Sequence, residues 1–190
     1  AMCALAQRAE KQSGFDFFAF CNVDFRNIFC KYRPTYEDYF RLLFYDQRNV
    51  AYQLHEYAAQ NKIKPTVNTY WKVDYMYKGM KVMFLAVHDC KLCIQIVGIA
   101  GGYDPALINY YLSKESPAFQ KQALRHIRRC DACATTHLGT FITVLGKKQR
   151  VCGGGEVAFR WYNPHKDDLE IIKRLIQFRM NIIDGLKGSP

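Results

Sequence analysis

The chain has 190 residues, 49% hydrophobic and 23% charged, enough for one globular domain with a full core. Gly (12) and Pro (6) are too sparse for a collagen-like or disordered chain, and no apolar run reaches bilayer-spanning length. The net charge of +10 suits a polyanionic partner.

Ala1 ahead of Met2 reads as a cloning remnant, and residues 1–14 as a loosely ordered start to a single domain spanning 1–190. "GFDFFAFCNVDF" (Gly14 to Phe25) is a first strand or a short helix; its periodicity does not decide. From Thr35 to Asn61 the spacing predicts a helix. Tyr36, Phe40, Leu43, Val50, Leu54 and Tyr57 form one apolar face, with Thr35 and Asp38 as the capping pair. The period then changes to two. Trp71, Val73, Tyr75 and Tyr77 alternate with Lys72, Asp74 and Lys78, and Lys78-Gly79 is a hairpin turn. Val82 to Val87 return, a turn follows at His88 to Lys91, and Leu92 to Val97 form a third strand. "GIAGGYDP" is a glycine-rich loop without the strand-to-helix setting of a phosphate site.

Ser116-Pro117 opens a second helix, with Phe119, Ala123 and Ile127 on one face and His126 and Cys130 on another. Leu138 to Leu145 alternate again, turn at Gly146-Lys147 and return along Gln149 to Val151. Val157, Phe159 and Trp161 give a further strand. Asn163-Pro164 begins a last helix with Asp167 and Asp168 in its first turn. Its stripe is Leu169, Ile172, Ile176 and Ile183, widened by Leu175, Phe178 and Ile182. The expected fold is α+β: an antiparallel sheet from a duplicated strand-helix-strand-strand unit, backed by helices, with a C-terminal helix.

Eight cysteines in a chain with no outward-routing segment point to reduced thiols and a cytoplasmic setting. Three of them frame the sharpest motif. Cys130 and Cys133 form a C-x-x-C, and Cys152 comes back from the far end of a hairpin. With His137, or His126 in its place, they make a candidate zinc tetrahedron. Against a redox role, the C-x-x-C follows a helix instead of opening one after a parallel strand. His88, Cys90 and Cys93 form a second motif, but on a tight turn where neighbouring side chains alternate faces.

"NTYWKVDYMYKGMKV", "CDAC", "TVLGKKQRVC" and "RWYNPHKDDLEIIKRLIQFR" resemble a family of small cytoplasmic proteins of anaerobic Gram-positive bacteria with no established activity. The resemblance covers the C-terminal two-thirds. Where many members carry a third clustered cysteine, this chain has Thr135, Thr136 and His137, a departure from a four-thiolate site. The element order is also similar to gyrase-inhibitor-like small-ligand-binding domains, a likeness of fold that carries no function.

The residues contain no recognisable catalytic set of nucleophile, base and orienting group. Two functions remain. One is a small aromatic or cationic ligand held in a cleft lined by Trp71, Tyr75, Phe159 and Trp161. The other is nucleic acid, with Arg128, Arg129, Lys147, Lys148 and Arg150 on phosphates and exposed rings on bases.

Overall fold

The computed structural model describes residues 35–68, 72–88, 90–97, 105–130, 140–151 and 157–187. The first expected element, Gly14 to Phe25, lies outside them. Helices α1 (Tyr36–Phe40) and α2 (Tyr45–Gln60) lead into four strands, β1 (Lys64–Asn68), β2 (Lys72–Tyr77), β3 (Met80–His88) and β4 (Lys91–Val97). Helices α3 (Pro105–Ser113) and α4 (Pro117–Arg125) follow, then β5 (Thr140–Val144), β6 (Lys147–Val151), β7 (Val157–Tyr162) and α5 (Leu169–Lys187). The class is α+β with an antiparallel sheet and a C-terminal helix, and among the described residues no helix is long and apolar enough to cross a membrane.

The single helix expected from Thr35 to Asn61 is broken at Arg41–Phe44. The first piece carries its own N-terminal cap. The Asp38 carboxylate accepts from the Thr35 amide (2.7 Å) and hydroxyl (2.8 Å). At the break, the Arg48 guanidinium donates to the carbonyls of Arg41 (2.9 Å) and Leu43 (3.0 Å), which the missing helical turn leaves open.

The sheet order is β1-β2-β3-β4-β7, antiparallel throughout. β5 and β6 pair only with each other as a separate ribbon. Among the described residues, four strands of the sheet come from before residue 98 and one, β7, from after it. β6 reads Lys-Lys-Gln-Arg-Val, too polar to be buried on both faces between sheet neighbours. A short extended segment stitches ribbon to sheet instead. Ile127 bridges Phe159 of β7, and Arg129 bridges Val151 of β6.

Lys78-Gly79 turns with φ of 47° and 78°, the positive pair that a two-residue hairpin turn needs. The ribbon turns in the same way at Leu145 (50°) and Gly146 (72°), one residue earlier than Gly146-Lys147. The earlier turn sets Val144 opposite Lys147.

One face of the sheet packs under α2 and α5. Every residue of the expected α5 stripe is buried: Leu169, Ile172, Leu175, Ile176, Phe178, Ile182 and Ile183. α5 reaches through Gly185 to Lys187, and a 3-10 turn at Lys166–Asp168 precedes it, so Asp168 caps instead of sitting inside the first turn. The two helices are also pinned by polar contacts. Tyr57 donates to the Lys173 carbonyl at 3.3 Å, and Lys78 pairs with Asp184 at 2.6 Å. At the other end the buried Gln47 accepts the Leu92 amide at 2.6 Å. Gln47→Ala strands that buried N–H. The expected cost is about 1–3 kcal/mol, measured as a lower urea midpoint at unchanged slope.

Candidate nucleic-acid interface

The rings expected to wall a cleft are spent elsewhere. Tyr75, Met83, Ile96 and Phe159 form one row across the sheet, and Val73, Leu85, Ile94 and Trp161 the next. Paired residues share a face, and this is the face beneath the helices. Tyr75, Phe159 and Trp161 are 0%, 2% and 1% exposed. They are core residues and offer no ring surface to a ligand; Trp71 lies outside the described residues. Burial lifts the Tyr75 hydroxyl far above the usual tyrosine range, and that hydroxyl is bonded to His55 Nδ1 at 3.0 Å. The alternation in the sequence marks which residues share a face. It does not say whether helix or water covers that face.

The thiol motif is only partly visible. α4 opens as expected, with the Ser116 hydroxyl accepting the Phe119 amide at 3.2 Å and Pro117 at its first position. It ends at Arg125, however, so His126 and Cys130 do not share a helical face. Cys130 sits in the extended segment, half-buried, its amide donating to the Arg150 carbonyl at 3.2 Å. This runs Cys130 alongside β6, the strand that leads to Cys152. Cys133, His137 and Cys152 lie outside the described residues. His126 is engaged otherwise. Its ring stacks on Trp161 at 4.4 Å, and Nε2 lies 3.9 Å from Asp168. Among the described residues no three metal-capable side chains come together. In the second motif, Cys93 is buried, which pushes its thiol up, and His88 is exposed at a strand end.

His126 and His55 share an electrostatic condition. Burial lowers both pKa values; Asp168 opposes this for His126, as Glu37 and Glu56 do for His55. The unfolded chain therefore binds protons on these rings at a higher pH than the folded one does. Their contribution to stability is complete above about pH 6.5, the ordinary histidine value, and is lost as pH falls below it. Denaturant titrations should give a flat midpoint above about pH 7 and a declining one toward pH 5. His126→Gln should flatten part of that decline.

The basic residues gather where the thiols do. Across 116–130 and 140–151 stand Lys121, Arg125, Arg128, Arg129, Lys147, Lys148 and Arg150, with no Asp or Glu in either span. Arg129, Lys147 and Lys148 are exposed, and Arg128 and Arg150 half-buried. All five cations named from the sequence lie on the ribbon or on the segment that stitches it to the sheet. The ribbon's two faces differ. Ile142, Val144 and Val151 are fully buried against the protein. Phe141 opposes Arg150 and Thr143 opposes Lys148, so these four share the outward face, where Phe141 is 55% exposed.

The face of the sheet turned away from α2 and α5 also carries cations. Lys72 stands 4.0 Å over the Phe84 ring, and Arg160 donates to Tyr162 Oη at 2.7 Å and to Gln95 at 2.8 Å. Asp74 is paired with Lys81 at 3.1 Å, which cancels its charge locally. Phe141, Lys72 and Arg160 are not among the site residues that the sequence points to. The signal for Phe141 was present in the hairpin: once the turn is placed at Leu145-Gly146, an outward aromatic falls opposite an arginine.

No family model, curated protein or solved structure matches the chain, and the functional reading rests on its own residues.

Proposed function

We propose that the protein binds nucleic acid through the β5–β6 ribbon and the extended segment beside it. One observation carries this reading: seven cations and no carboxylate in the two spans that build this surface, with an exposed phenylalanine among them. Side-chain ammonium and guanidinium groups there supply phosphate contacts, and Phe141 supplies a stacking face. A two-stranded ribbon is also narrow enough to follow a groove. No catalytic step is part of the reading.

The test is a gel-shift titration of a labelled 30-nucleotide strand at 50 and 200 mM salt. If Arg128, Arg129, Lys147, Lys148 and Arg150 each neutralise one phosphate, the logarithmic salt slope is about −3.5 for single strands. Affinity then falls on the order of a hundredfold over that fourfold rise in salt. A shift that is absent at 50 mM, or that persists unchanged at 200 mM, removes the proposal.

A further inference from the structure

Beside the ribbon turn lies a groove of about 570 Å³, formed where α3 and α4 meet β5 and lined by Asn109, Tyr110, Ser113, Gln120, Thr143 and Leu145. We infer that it receives one unpaired nucleobase, which makes the protein a binder of single strands in preference to duplexes. This inference rests on the nucleic-acid reading above and specifies its ligand.

Three features of the groove match a base and its phosphates. Two of the lining side chains offer apolar surface: Tyr110, with Lys114 over one side of its ring, is 52% exposed, and Leu145 is 40% exposed. Base-aromatic stacking tolerates any base and requires only an open ring face. The polar groups are held in fixed orientation. The Thr143 amide donates to Asn109 Oδ1, and the Leu145 amide donates to Gln120 Oε1 at 3.1 Å. Gln120 Nε2 is committed to the Glu115 carbonyl at 3.0 Å. With its oxygen held by the ribbon, Asn109 presents Nδ2 as a donor pair suited to carbonyl and ring-nitrogen acceptors on a base edge.

The charges around the rim are those of a phosphate path. The Lys114 ammonium is bonded to the Tyr110 hydroxyl and lies 3.8 Å from its ring centre. Lys147 follows the turn glycine directly, and Lys148 is the cross-strand partner of Thr143 in the groove wall. The nearby carboxylate, Glu115, is neutralised by Arg174 at 2.7 Å. A base stacked and paired inside a duplex cannot enter such a groove without being flipped out at an energetic cost, whereas an unpaired base pays almost none of it.

The experiment uses fluorescence anisotropy on the full chain with a labelled 12-nucleotide oligothymidylate and a duplex of equal length, both at 50 mM salt. The expected result is tighter binding of the single strand. Tyr110→Ala should weaken single-strand binding about tenfold, in the range of one base-aromatic stack, and leave duplex binding unchanged. Tyr110→Trp, which keeps a ring, should retain the wild-type affinity. Equal affinity for both probes, no effect of Tyr110→Ala, or equal loss in Tyr110→Ala and Tyr110→Trp overturns the groove. Binding of neither probe overturns the nucleic-acid reading itself, so the two failures are distinct.

Discussion

Trp161→Ala is expected to destabilise the fold by about 3–5 kcal/mol, the range for truncating a large buried ring. Trp161 is 1% exposed, stands next to the last residue of β7 opposite Ile94 of β4, and lies on the face covered by helices. Its removal also takes away the ring on which His126 stacks. Because domains of this size are stable by only about 5–15 kcal/mol, the variant should lose a large part of its margin. Among the described residues the indole N–H finds no acceptor, so the ring contributes by packing and not by a hydrogen bond. Trp161→Phe should therefore cost far less than the alanine variant. Urea denaturation of the three proteins checks this. A ligand-lining tryptophan would behave differently: its alanine variant would leave the midpoint near wild type.

Lys147→Glu/Lys148→Glu is expected to weaken nucleic-acid binding by at least about tenfold at 50 mM salt and to reduce the salt slope by about 1.4. Both lysines are exposed, and Lys148 shares the outward face of the ribbon with Phe141. Two phosphate contacts are lost and two repulsive charges take their place. Exposed substitutions of this kind change stability by about 0.5 kcal/mol or less, so the fold should be retained and the loss should be one of affinity alone. An unchanged titration curve in a folded double variant would take phosphate recognition away from the ribbon. The pairing of these two variants separates the roles of the aromatic and basic residues. One should damage stability, and the other binding.

Much of the local structure could be read from the residues in order. The α5 stripe repeats at helical spacing, and every member is buried, because a helix with one apolar face has only one way to hide it. Ser116-Pro117 starts α4, and Thr35 with Asp38 starts α1, since each cap is closed within four residues. Lys78-Gly79 turns where a glycine tolerates positive φ. The α+β class and the basic cluster around the hairpin belong to the same set: they depend on composition and on neighbours along the chain.

The remaining features depend on specific contacts that lie outside the apolar pattern. The break between α1 and α2 is closed by Arg48 reaching back to carbonyls five and seven residues away, which no apolar period records. Helix α3 lies in a stretch to which the spacing assigned no element, and it is held against β5 by a bond from Thr143 to Asn109, 34 residues earlier. Among the described residues the bridges of Ile127 and Arg129 link the ribbon to the sheet. The sequence by itself determined that Phe159 and Trp161 share one face of their strand, as Val73 and Tyr75 share one face of theirs, and that positive charge collects near Cys130. Tertiary structure alone decided that α2 and α5 cover the face bearing those rings, while Phe141 remains open to water. Alternation assigns residues to two faces, but which face is dry is set by what packs against it, and that is a property of the assembled layers.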